Sequence, residues 1–109
     1  MEIRVEQVED SVIVAPDGEV DLSNSRELQV ELKRVLKTKP ARLVVDLSGV
    51  LYMDSSGVAT LVEAMQIARR QETDLVLCAL QPKVQSVFEI ARLDRVFHIT
   101  ENLQAACVK

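Results

Sequence analysis

Apolar and polar residues alternate along residues 2–8, "EIRVEQV", the period of two that marks a strand with unlike faces. After the charged pair Glu9-Asp10 the chain resumes in extended character as "SVIVAPDGEV". The pattern predicts a β-hairpin whose second strand ends near Val20. Within that strand, Pro16-Asp17-Gly18 predicts a turn or bulge, because proline lacks the ladder donor and glycine accepts positive φ.

The period then changes. In "DLSNSRELQVELKRVLKTKP" the residues Leu28, Leu32, Val35 and Leu36 recur at i, i+4, i+7 and i+8, which predicts a helix with one apolar face. Ser23, Asn24 or Ser25 can cap its start, and Asn24 with Glu27 has capping-box spacing; Lys37, Lys39 and Pro40 suit its end. "RLVVDL" is continuously aliphatic, as expected of a strand covered on both faces. Val58, Leu61, Val62 and Met65 form a second helical stripe that runs to Arg69-Arg70. "DLVLCAL" predicts another buried strand, and Pro82 opens a third helix, "PKVQSVFEIAR", at the position where a first turn accepts proline. "RVFHI" predicts a last strand and "ENLQAAC" a short terminal helix. The order β-β-α-β-α-β-α-β-α predicts an α/β fold: a mixed, mostly parallel sheet with an N-terminal β-hairpin and about four helices.

Composition narrows what such a domain can do. A chain of 109 residues, 48% hydrophobic and with three Gly and three Pro, suits one domain over residues 1–109. The net charge of −4 opposes the attraction that drives phosphate-backbone binding, so no direct nucleic-acid partner is expected. The apolar runs are far shorter than a bilayer span, and no membrane anchor is expected. The opening "MEIRVEQVED" has no charged-then-apolar export pattern, which points to a cytoplasmic protein. Cys78 and Cys107 lie far apart without a CxxC pair and suit free thiols, Cys78 as a small buried hydrophobe inside "LVLCAL".

The candidate chemistry centres on Asp54-Ser55-Ser56-Gly57, placed just before the second helical stripe. One reading is an N-terminal cap plus a tight turn, which accounts for a capping residue but does not require an acid, two hydroxyls and a glycine together. A second is a nucleophilic serine, which needs a base in reach; the chain offers a single histidine, His98, in the apolar strand "RVFHI", and the G-x-S-x-G elbow is absent. Phosphate loops, dinucleotide fingerprints and His/Cys clusters are absent too, so neither enzyme activity nor a cofactor or metal is expected. Asp46, ending "RLVVD", imitates the acceptor of a receiver domain, but a first strand leading into a second strand does not fit that topology; it reads better as a loop hydrogen-bond acceptor. The third reading is a phosphate acceptor: a serine at a helix N-terminus is accessible, and phosphorylation adds roughly −1.5 to −2 charge without any catalytic residue in this chain.

Taken together, "GEVDLSNSREL", "LVVDLSGVLYMDSSGVATLVEA" and "LVLCALQPKVQSVFEIARLDRVFHI" resemble the STAS domains, specifically the bacterial anti-sigma-factor antagonists, over nearly the whole chain. The most specific segment is Leu43 to Val58. The resemblance implies a partner-switching protein. Its unphosphorylated form would bind an anti-sigma factor that is also a serine kinase with a GHKL-type ATP site, and so free the sigma factor. Phosphorylation at Ser55 would end that binding, and a PP2C-type phosphatase would restore it. By the same resemblance Asp54, Ser56 and Gly57 shape the acceptor loop, Asp21, Ser23 and Asn24 lie beside it in the docking surface, and the exposed side of the second helix, with Thr60 and Glu63, extends it. The alternative within the family is an adaptor subunit of a stress-signalling complex or a lipid-transport ATPase. "IARLDRV" departs from the family's habit of a small residue near the end of the third helix, and puts Arg92 where a left-handed cap is expected, at modest cost.

Overall fold

The computed structural model describes residues 1–107. Strand β1 (Glu2–Val8) turns through Glu9-Asp10 into β2 (Ser11–Asp17), and there follow α1 (Ser25–Lys37), β3 (Arg42–Asp46), α2 (Ser55–Arg70), β4 (Asp74–Cys78), α3 (Pro82–Ile90), β5 (His98–Thr100) and α4 (Leu103–Cys107). The five strands lie in sequence order, β1 antiparallel to β2 and every later neighbour parallel. This is the mixed sheet that the alternation of periods predicts. Among the described residues no helix is long and apolar enough to cross a membrane.

Strand periodicity divides the core in two. Val12, Val14, Leu43, Val45, Leu75 and Leu77 face one side and pack with α1, α2 and α3. Ile13, Val44, Val76 and Cys78 face the other and meet Leu103, Ala106 and Cys107 of α4. Because each fully buried aliphatic side chain contributes ~1.5–3 kcal/mol, β3 and β4, buried at four of their five positions, carry far more of the stability than β1. That strand is exposed at all but one position. Its hold on the fold is mainly the ladder to β2.

Several local expectations give way to packing. The second strand ends at Asp17, short of Val20, and runs through Pro16 in unbroken register with β1. Proline is tolerated there because the β3 ladder already stops at Val14. The turn comes later, at Gly18, with φ +103 and its amide on the Gly49 carbonyl at 2.9 Å. The Asn24–Glu27 capping box does not form: the Asn24 side chain accepts from the Asp21 amide and donates to the Glu19 carbonyl, while Glu27 meets the N-terminal amine. The face of α2 is also rotated from the expected stripe. Leu61, Ala64, Met65 and Ala68 are buried, while Val58 and Val62 are only partly covered.

The last strand shrinks as well. Arg92 does adopt the left-handed conformation, φ 59, and leads into a 3-10 turn at Leu93–Arg95. Both Val96 and Phe97 donate to the Leu93 carbonyl, which holds Phe97 edge-on to Phe88 with ring centroids 5.5 Å apart. Burying that ring takes Val96 and Phe97 out of the sheet, so pairing begins only at His98.

Candidate functional site

The site forms where the carboxyl ends of β2 and β3 hand over to α1 and α2. The loop after β3 is anchored from below: Leu47, Val50 and Met53 are buried, and the Leu47 amide bonds the Cys78 carbonyl at 3.0 Å. Its outward residues, Leu51 and Tyr52, stay exposed. The loop after β2 is spliced to it by a parallel bridge between Val20 and Met53, in which the Val20 amide donates to the Tyr52 carbonyl and the Asp54 amide to the Val20 carbonyl, both at 3.0 Å. Gly57 lets the splice close against α2. A Cβ there would lie 2.5 Å from Met53 Cγ and 2.8 Å from Val20 Cγ1.

Asp54 is the N-cap of α2 and organises the whole turn. Its Oδ1 accepts from the Ser56 amide (2.9 Å), the Ser56 hydroxyl (2.6 Å) and the Gly57 amide (3.3 Å), and its Oδ2 from the Leu22 amide across the splice (3.2 Å). The Ser56 hydroxyl first, then these amides, hold the carboxyl below the usual aspartate range against partial desolvation. The charge is therefore spent locally. The same bonds separate the two serines: Ser56 has its hydroxyl tied to Asp54, whereas Ser55, the first residue of α2, is exposed and its hydroxyl meets no partner among the described residues.

The turn before α1 repeats the device on a smaller scale. Asp21 accepts from the Ser23 amide at 2.9 Å and from its hydroxyl, and the Asp21 carbonyl takes the Asn24 and Ser25 amides. Asp21, Ser23 and Asn24 thus belong to a turn that is joined to Asp54 through the Leu22 amide. Leu22, between them, is 81% exposed. Tyr52 with Val58, Val62 and Val87 makes an apolar rim beside Ser55 that the residue pattern did not single out, while Leu22 stands on the Ser56 side of α2. The available signal was the presence of large apolar side chains in the otherwise polar turns "DLSNS" and "LYMDSS".

Two residues of α2 take different places from those expected. Thr60 is not on the exposed side of α2 but is buried, its hydroxyl donating to the Ser56 carbonyl at 2.9 Å. It supports the first turn of the helix from inside. Glu63 is half-exposed and pinned to α1, accepting from Gln29 Nε2 at 2.8 Å and lying 3.4 Å from Lys33 Nζ. The Gln29 bond first, and Lys33 after it, hold that carboxyl low against partial desolvation.

His98 stands near Asp74, Nδ1 to Oδ1 3.7 Å, at the amino ends of β4 and β5. Ser55 lies beyond the carboxyl ends of the parallel strands, so the one imidazole is at the opposite end of the sheet and no Ser-His pair is formed. Asp46 is buried and accepts from the Ser48 amide at 3.0 Å, the loop role expected of it.

Known proteins share this architecture. The chain is 28% identical over 106 residues to BtrV of Bordetella bronchiseptica, named as a candidate anti-sigma factor antagonist, with 97% of this chain and 91% of that protein covered. It is 29% identical over 90 residues to the anti-sigma-B factor antagonist of Listeria monocytogenes, covering 83% of this chain and 79% of that one. A crystal structure of an anti-sigma factor antagonist from Mycobacterium paratuberculosis superposes with a TM-score of 0.89 at 25% identity, over 96% of this chain and 89% of that one. The model of the STAS domain matches residues 2–106, and the chain belongs to the STAS domain family.

Proposed function

We propose that this protein is an anti-sigma-factor antagonist that binds an anti-sigma factor in its unphosphorylated form and is switched off by phosphorylation at Ser55. The reading rests above all on one observation: of two adjacent serines at the start of α2, Ser56 is bound to Asp54 and Ser55 alone is exposed with a free hydroxyl. The names of the relatives in Bordetella bronchiseptica and Listeria monocytogenes support the same activity. The partner in this reading is an anti-sigma factor with GHKL-type serine kinase activity, and a PP2C-type phosphatase reverses the modification.

The surface explains how the switch would act. Tyr52, Val58 and Val62 supply apolar contact beside Ser55, with Leu22 and the polar turn Asp21-Ser23-Asn24 on the Ser56 side. A phosphate of roughly −1.5 to −2 charge added there meets amides at Ser56 and Gly57 that already donate to Asp54. Little of the new charge can be absorbed by the helix N-terminus, and Asp54 repels it. The charge remains at the apolar rim and opposes a partner seated on it. Glu63 belongs to the edge of this surface, and Thr60 acts beneath it.

The test is incubation with ATP, magnesium and anti-sigma kinases of the same organism, followed by intact-mass measurement, site mapping and a binding assay, with Ser55→Ala and Ser56→Ala controls. One phosphate on Ser55, lost in Ser55→Ala, kept in Ser56→Ala and accompanied by release from the kinase, is the expected result. Phosphate on Ser56 would overturn the assignment of the acceptor. Absence of both modification and binding, with a multi-subunit scaffold or transporter recovered instead, would favour the adaptor reading.

A further inference from the structure

The sheet has two unequal edges. The outer edge of β5 is three residues long, which blunts it, whereas β1 presents seven residues with no strand beyond them among the described residues. The direction of the β1 hydrogen-bonding groups follows from the hairpin. A two-residue reversal at Glu9-Asp10 makes Val8 and Ser11 a pair that exchanges hydrogen bonds, and alternation gives Glu6–Ile13, Arg4–Ala15 and Glu2–Asp17 the same role. The amides and carbonyls of Ile3, Val5 and Gln7 therefore point away from the sheet, and no partner for them appears among the described residues.

The side chains of β1 then select what can pair there. Glu2, Arg4 and Glu6 lie on one face and Ile3, Val5 and Gln7 on the other. In an antiparallel pairing of two copies with the two-fold axis at Val5, Arg4 of each copy faces Glu6 of the other, Val5 meets Val5 and Ile3 meets Gln7. The outward amides and carbonyls of Ile3, Val5 and Gln7 are then matched in full. Shifting the axis by one residue sets Arg4 against Arg4 or Glu6 against Glu6, and like charges directly opposed are unfavourable. Arg4 lies 4.0 Å from the buried Asp46 carboxylate through one guanidinium nitrogen, but its side chain is 65% exposed and the remaining N–H donors of the fork stay available to Glu6 of the second copy.

We propose that β1 is a self-association edge, through which two copies of this chain join their sheets in antiparallel register about Val5, with paired Arg4–Glu6 contacts. The axis makes the contact isologous and closed, so association stops at the dimer. Seven residues from each copy make a small interface, of the weak class below about 1,200 Å². No residue assigned to the Ser55 surface belongs to β1, so this inference stands apart from the proposed switch.

Sedimentation velocity over a concentration series up to about 1 mM, with circular dichroism to confirm folding, tests the register through three variants. Glu6→Arg opposes Arg4 twice per dimer and should weaken association about tenfold or more. The double swap Arg4→Glu with Glu6→Arg should restore it. Val5→Pro removes an outward amide without touching the β2 ladder and should leave a monomer. A chain that stays monomeric throughout overturns the proposal. So does a dimer whose constant is unchanged in Glu6→Arg and Val5→Pro, which would place the interface elsewhere.

Discussion

Replacing Gly57 by alanine should destabilise the protein even though alanine is the better helix former. Gly57 occupies the third position of α2, where its Cα faces the Val20–Met53 splice. The added methyl would sit 2.5 Å from Met53 Cγ, 2.8 Å from Val20 Cγ1 and 3.2 Å from Met53 Sδ. Neither neighbour can yield easily, since Val20 is 0% and Met53 1% exposed and both backbones are fixed by the bridge. Overpacking of this kind costs ~1–3 kcal/mol, whereas glycine-to-alanine returns at most ~1 kcal/mol of helix propensity, and less in a first turn. The repulsion wins by about 1–2 kcal/mol, equivalent to a fall in melting temperature of roughly 4–16 °C for a domain of this size. Urea titration followed by circular dichroism measures it, with an expected midpoint shift of about 1 M. A variant as stable as the parent, or more stable, would refute the close-packing account of Gly57.

Three further outcomes follow from the same geometry. Asp54→Ala should lower stability through the lost cap; because the folded carboxyl is held below its ordinary value of 3.8, its contribution is present above that value and is lost as the pH falls through the lower folded value, so stability measured from pH 6 to pH 2 by urea melts should lose part of its acid slope in the variant. Ser56→Ala should cost about 1 kcal/mol by removing the 2.6 Å bond to Asp54, while Ser55→Ala should stay within about 0.5 kcal/mol; equal costs in paired denaturation curves would contradict the division of labour between the two hydroxyls. Burial first, then Asp46 and Cys107, pushes the Cys78 thiol up to about 12, so a thiol reagent at pH 8 should label the half-exposed Cys107 first and Cys78 only on unfolding, as peptide mapping would reveal.

The elements that could be read along the chain are those whose cause is local. The 13 residues of α1 keep Leu28, Leu32, Val35 and Leu36 on one face whatever packs there, and all four are buried. "RLVVD" and "DLVLC" are strands for the same reason, with a helix layer waiting on each side. What could not be read depends on distant partners. Ala64 and Ala68 carry too little hydrophobic signal to mark the α2 face, yet their small size suits them to its closest packing, and the true face turns toward them and away from Val58 and Val62. Phe97 looks like a strand residue until the Phe88 ring claims it. Asn24 has the spacing of a cap, but the Asp21 amide and Glu19 carbonyl take its side chain first.

The turn that opens α2 shows the same division. Asp54 followed by two hydroxyls and glycine announces a helix start, and the structure has one there. Which serine is free was not decided by the residues themselves, because it depends on the carboxylate rotamer that the Leu22 amide fixes from 32 positions away. Thr60 was misplaced for a related reason: a hydroxyl at helical spacing on a polar stretch reads as solvated, whereas here it is turned inward onto the Ser56 carbonyl.

The splice at Val20 and Met53 has a consequence for the timing of motion. Each of its two hydrogen bonds joins one loop to the other, so neither loop can lift away without breaking both. The Val20 and Asp54 amides should therefore exchange their hydrogens in a single shared event, at one rate, as a unit of local opening. A charge placed on one loop would be felt by the other in the same step, and the two turns would respond to a partner as one rigid plate.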